Sequence, residues 1–221
     1  MSSEPLALSF QIALVATLVA GTLGVALAGL MARVRFVGRD LLDALLTAPM
    51  VLPPTVLGYY LLVAIGREGA IGRAYESITG APLAFTRTAA VIAACLTALP
   101  FVVKSARAAM EDVDPRLPAA AATLGASPLR VFFTIVLPLS RNGVLAGLTL
   151  GFARALGDFG VTLMVAGNIP GLTRTGALAI YDAVQAGRDS EAAGLAATMT
   201  ALGVAALYLG TKLARRRPHA W

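Results

Sequence analysis

An all-α membrane protein of about five transmembrane helices is the fold class this sequence predicts, and three observations predict it. Of 221 residues, 57% are hydrophobic and only 14% charged, with a mean hydropathy of +0.78. A soluble domain carries roughly a quarter charged residues. The apolar residues gather into five stretches, each long enough to cross a bilayer core about 30 Å thick as helix. The lysines and arginines collect at the ends of those stretches, where membrane proteins encode orientation.

The spans run over 10–31, 41–65, 88–109, 143–166 and 192–213, leaving one membrane domain over 1–221 and little chain for a soluble one. No basic segment precedes the first, and it is too long for the apolar part of a cleaved signal. The second carries Pro53-Pro54 near its middle, the third Pro100, the fourth Arg154 with Asp158 one turn on. Residues four apart share a helical face. Prolines in spans are tolerated because neighbours re-satisfy the freed carbonyls, so packing kinks account for these features. Interrupted helices at one depth also mark translocation sites, so Pro53, Pro54, Pro100, Arg154 and Asp158 equally form a candidate gate. A charge at the bilayer centre costs at least roughly 2.5–3.5 kcal/mol. Arg154 and Asp158 therefore form either a neutralising ion pair or part of an anion path.

With the N-terminus outside, twelve lysines and arginines fall in cytoplasmic segments and five outside. The twelve include Arg33, Arg35 and Arg39, then five from Lys104 to Arg141, then four from Lys212 to Arg217. The positive-inside bias thus sets the N-terminus outside and the C-terminus in the cytoplasm. Reporters fused after Arg217 are expected to be active only when the reporter works in the cytoplasm. A periplasmic signal there would overturn the orientation.

The outer loop from Arg67 to Arg87 is rich in glycine and charge. In the second outer loop, Asn168-Ile169-Pro170-Gly171 has Pro and Gly where a type II turn wants them. Gly176 to Gln185 after it reads as a short interfacial helix. The cytoplasmic segment 110–141 is the most informative. Asp114-Pro115 fits an acidic N-cap followed by Pro at the first helical position, and Pro118 fits that first position equally. Ala119-Ala120-Ala121-Ala122-Thr123-Leu124 follows as helix, and Gly125 stops it as a C′ residue does. Ser127-Pro128 starts a second helix, expected to run to Val136 before Pro138 ends it. A small-faced helix suits a partner's groove, and it equally suits a connector lying on its own bundle.

Other chemistries find no footing. Cys95 is the only cysteine and His219 the only histidine, so a zinc site, a histidine dyad and an internal disulfide are excluded. No Gly-x-x-x-x-Gly-Lys-Ser/Thr loop occurs to cradle a nucleotide. The net charge of +6 is spread over span ends and makes no basic face for nucleic acid. Polar residues are too isolated within the spans to line a channel.

Ala119-Ala120-Ala121, Gly125, Ile135, Leu137 and Pro138 resemble the cytoplasmic loop of permease subunits of binding-protein-dependent ABC importers. That pattern is Glu-Ala-Ala, three residues, Gly, nine residues, Ile, one residue, Leu-Pro. Every spacing matches, with Ala119 where the family has Glu. Three further stretches are similar to the molybdate subfamily: Leu52 to Tyr59, Phe152 to Gly160, and Gly167 to Gly171 with Thr173, Thr175 and Ala179-Ile180-Tyr181 after it. The resemblance implies a type I ABC importer permease in a bacterial inner membrane, without cofactor or metal of its own. It implies that Ala119, Ala120, Ala121 and Gly125 couple to a separate ATPase present in two copies. It implies a homodimer with a central path, surrounded by lipid. A periplasmic molybdate-binding protein would meet the outer loop at Asn168, Pro170, Gly171, Thr173 and Arg174. Tungstate and sulfate permeases are close relatives in this resemblance.

Overall fold

A computed structural model describes residues 4–33 and 37–215, which form helices and turns with no strand among them. Arg35, Arg216 and Arg217, used in the charge bias, and His219 lie outside the described residues. In chain order the elements are α1 (Glu4–Arg33), α2 (Arg39–Val51), α3 (Pro54–Ile65), α4 (Ala70–Thr79), α5 (Arg87–Glu111), α6 (Arg116–Thr123) and α7 (Pro128–Val131). A π-helical turn (Phe132–Val136) leads into α8 (Leu137–Leu139), followed by α9 (Arg141–Leu156), α10 (Gly160–Ala166), α11 (Gly176–Gln185) and α12 (Asp189–Arg215).

Three helices, α1, α5 and α12, are each long and apolar enough to cross a membrane. At 1.5 Å per residue the 30 residues of α1 measure about 45 Å, enough to pass both headgroup layers. The centre of the bundle is α1, α5 and α9, packed through small residues. Ala13, Ala16 and Ala20 of α1 and Ala89, Ala90, Ala93, Ala94 and Ala98 of α5 are buried. Side chains of neighbours fill the gaps that glycines leave. A Cβ on Gly21 would lie 2.6 Å from Leu148, one on Gly24 2.9 Å from Val102, and one on Gly29 2.6 Å from Phe132. Without a hydrophobic drive between helices in lipid, such close backbone approach is what holds a membrane bundle together. The outer helix α12 packs on α9 and α11 and leaves Val204, Leu207, Tyr208, Leu209 and Leu213 exposed.

The second span is interrupted at the prolines that marked it, and the fourth is interrupted where the sequence reads as one helix. Span two is two helices, α2 and α3, bent by 116° at Leu52-Pro53. The cause is local: two consecutive prolines remove two backbone donors, and Leu52 before them is extended at φ −67°, ψ 140°. Span four breaks at Gly157-Asp158-Phe159, between α9 and α10. Pro128–Leu139 meets α9 at 74°. The second loop helix does not stop before Pro138, as the sequence suggests, but continues through it to Leu139. The π-helical turn is the reason: Leu137 N–H reaches back five residues to Phe132 O, so the turn is already widened when the proline arrives. Helix α4, in the loop between α3 and α5, has no counterpart in the sequence reading.

Candidate functional site

The segment 110–141 is built from its caps. Asp114 accepts from Arg116 N–H at 2.9 Å, which places the helix start at Asp114-Pro115 rather than at Pro118. At the other end Ala126 N–H donates to Ala121 O and Gly125 N–H to Ala122 O, at 3.1 and 3.0 Å. These are the two bonds of a Schellman motif, with Gly125 at C′ in the left-handed region at φ +82°. Ser127 Oγ then accepts from Arg130 N–H at 3.4 Å and opens α7 with Pro128 at its first position. Ala119 and Ala120 are exposed, while Ala121 leans on Val131 and its neighbours in the bundle. Leu117, Leu124 and Leu129 stand out from the same segment. The arrangement presents small and apolar side chains on a stiffly capped projection, which is what a partner's groove requires.

The two helix breaks meet. α3 packs on α10, and a Cβ on Gly160 would lie 2.7 Å from Pro54 Cβ. Asp158 is not on the helical face of Arg154 as the spacing suggests; it lies in the break, beyond the end of α9. Its carboxylate is nonetheless within 3.1 Å of Arg154 Nη1. The other carboxylate oxygen accepts from Thr162 N–H at 3.0 Å and Thr162 Oγ1 at 2.6 Å, so Asp158 also caps α10. Asp158 is buried, whereas the Arg154 side chain keeps 30% of its surface exposed. Phe159 in the break lies against Tyr181 of α11, ring centres 5.2 Å apart, and Tyr181 is itself partly exposed. Pro53 and Pro54 are exposed at the bend, but Pro100 is fully buried within α5. Of the five candidate gate residues, Pro53, Pro54, Arg154 and Asp158 belong to or adjoin the paired breaks, and Pro100 does not.

The loop between α10 and α11 is a fastened structure. Leu172 N–H donates to Ile169 O at 3.1 Å and Gly171 has φ +73°, the type II turn expected around Pro170-Gly171. Arg87 holds the turn from α5 by donating to Leu172 O and Gly171 O, at 3.0 and 2.8 Å. Thr173, fully buried, accepts from Ile169 N–H and donates to Gly167 O. Arg174 donates to Asn168 Oδ1 at 3.0 Å and reaches Asp182 at 3.3 Å. Pro170 and Gly171 are therefore the surface of this loop, and Asn168, Thr173 and Arg174 its internal ties. Helix α11 has the bounds read from the sequence, and buries Gly176, Leu178, Ala179 and Ala183.

An ionic cluster joining α2 to α5 went unread. Asp43 lies 2.8 Å from Lys104 and 3.1 Å from Arg107, and Glu111 lies 2.9 Å from both Arg107 and Arg39. An acid just inside the second apolar stretch was its signal. Thr162 as the third member of the Arg154 group had none, since a threonine in an apolar run reads as packing.

The family model described as "Binding-protein-dependent transport system inner membrane component" matches residues 20–217. The chain is 42% identical over 217 residues to the Molybdenum transport system permease protein ModB of Haemophilus influenzae, covering 98% of this chain and 95% of that one. It is 44% identical over 209 residues to the protein of the same name from Escherichia coli (strain K12), covering 94% and 91%. Among solved structures, a bacterial ABC transporter involved in the import of the acidic polysaccharide alginate superposes with a TM-score of 0.78 at 14% identity, over 99% of this chain and 82% of that one.

Proposed function

Because this chain belongs to the family of binding-protein-dependent transport system inner membrane components, we propose that it is the permease subunit of an ATP-driven molybdate importer. Its fold is that of a type I ABC importer permease. The observation that carries the specific reading is the 42–44% identity to molybdenum transport permeases over nearly their whole length. The projecting, doubly capped loop supports the general one. Leu117, Ala120 and Leu124 on that loop dock into a groove of a separate ATPase, and two ATPases serve two copies of this chain. The C-terminus and the loop face the cytoplasm, in keeping with the charge bias. A periplasmic molybdate-binding protein releases its anion at the opposite end, where Pro170 and Gly171 form the exposed turn.

Arg154 acts in the path between them. Its guanidinium is partly exposed where two interrupted helices touch, the arrangement transporters use near the midplane. Asp158 is sealed behind it and tempers the positive charge, so that a divalent oxyanion is attracted without being trapped.

The test is the purified complex with its cognate binding protein in vesicles. Molybdate is expected to stimulate ATP hydrolysis and to be taken up, with tungstate next and sulfate weak. Stimulation by sulfate alone would reassign the substrate, and a chain that assembles with no ATPase would remove the function.

A further inference from the structure

We propose that α4 is a membrane-interface anchor, lying flat in the lipid headgroup layer at the end of the bundle opposite the coupling loop. Its place follows from its neighbours, since it joins the end of α3 to the start of α5, and α5 runs from there to Glu111 beside the cytoplasmic segment. Its ten residues divide into three faces at 100° per residue. Gly72, Tyr75 and Glu76 face the protein: Gly72 is buried, and Tyr75 packs on the central core. A Cβ at Gly72 would strike Gly66 O and Ile65 O, so glycine is what lets α4 turn so tightly against the end of α3. Arg73 and Ser77 are exposed on the polar side. The third face is apolar and uncovered: Ile71, Ala74 and Ile78 recur at i, i+3 and i+7, with Ile78 84% exposed.

A helix with a protein face, an uncovered apolar face beside it and a polar face opposite matches the layering of a bilayer edge. A second copy of the chain is a poor occupant. Three side chains on one ten-residue helix fall far short of the roughly 800 Å² per partner of a stable interface. Lipid needs no such area, because the apolar face enters only about 5–10 Å into the boundary between headgroups and chains. The charges agree with lipid phosphate as the neighbour. Arg67 and Arg73 are exposed around the helix start with Glu68 beside them, and among the described residues Arg67 lies 3.9 Å from Glu76 while Arg73 is in no ion pair. The inference needs only that the chain spans a membrane, so it stands or falls separately from the substrate.

The experiment uses the full chain in its assembled complex. Trp221, the only tryptophan, is replaced by Phe, and Ile78→Trp supplies one reporter. The complex is reconstituted in vesicles of phosphatidylcholine and phosphatidylglycerol, with or without bromine on the upper acyl carbons. The Ile78→Trp indole is expected to lose about half its fluorescence in brominated lipid and to resist aqueous iodide, as an indole at the boundary of headgroups and chains does. Arg73→Trp, on the polar face, is expected to respond the other way. Quenching of Ile78→Trp by iodide alone would mean a helix in water. Protection from both quenchers would mean a protein partner. Either result overturns the proposal. If Ile78→Trp does not assemble, Ile71→Trp on the same face reads the same outcomes.

Discussion

Gly125→Leu is expected to leave the chain inserted and assembled while cutting ATP-driven uptake about 5- to 30-fold. Gly125 has φ +82°, and an L-residue held in the left-handed region costs about 1–2 kcal/mol. That is a factor of about 5–30 in the population of the correctly closed turn. A Cβ at this position meets no neighbour within 4 Å, so the substitution strains the backbone without overpacking the bundle. The Schellman bonds from Gly125 and Ala126 fix where α6 stops and how Leu124 projects; loosening them frees the docking surface but no span. Gly125→Asn is the control, since asparagine tolerates this conformation, and it should retain most uptake. The measurements are expression and assembly by size-exclusion chromatography, then uptake and ATPase stimulation in vesicles. Normal uptake by Gly125→Leu would reduce the segment to a connector.

Asp158→Ala is expected to be the most damaging single change in the membrane region. It strips Arg154 of its counter-charge and α10 of its cap at once. Removing one partner of a buried ion pair costs about 3–5 kcal/mol, and losing a cap about 0.5–2. The Arg154 side chain is 30% exposed, so the pair is worth less than a fully buried one and the lower end of the range applies. Asp158→Asn keeps an acceptor for Thr162 and should fall between Ala and wild type in thermal stability. Arg154→Gln separates structure from transport. If the pair only orders packing, Arg154→Gln combined with Asp158→Asn recovers stability and uptake together. If Arg154 lines the path, the double variant is stable and its ATPase answers the binding protein, yet anion uptake stays low. Full uptake by Arg154→Gln alone would remove Arg154 from the path.

Features set by bonds between near neighbours were legible in the sequence. Gly125, Ser127-Pro128 and the Pro170-Gly171 turn each close within six residues, and α11 starts where Thr175 Oγ1 accepts from Leu178 N–H; Asp114-Pro115 was one of two starts the sequence left open. The breaks were less legible. Both halves of a broken span remain apolar: Pro53-Pro54 marked a kink in span two but not its 116° size, and hydrophobicity continues across Gly157 without marking the break in span four. Pro138 misled for a related reason: its cost depends on the turn before it, and the widening at Phe132–Val136 is not written in any single residue. Arg154 and Asp158 were found from their charge and spacing, but their geometry needed the tertiary fold. Thr173 reads as a polar surface residue, and only the folded loop turns it inward.

The glycine notches of α1 also govern how this bundle can move. Leu148 of α9, Val102 of α5 and Phe132 of the π-helical turn each sit where a Cβ on Gly21, Gly24 or Gly29 would be. Sliding α1 by even about 1.5 Å, the rise of one residue, would carry those three side chains out of their notches and against the side chains three and four residues away on the same face. The seam therefore works like a key in a lock with fixed wards, and gradual slippage is closed to it. Packed interfaces of this kind shift between discrete arrangements or travel as a block. Motion in a working cycle must then pass through the elements outside the seam: α2 and α3 at their proline bend, and α10 at the break before it.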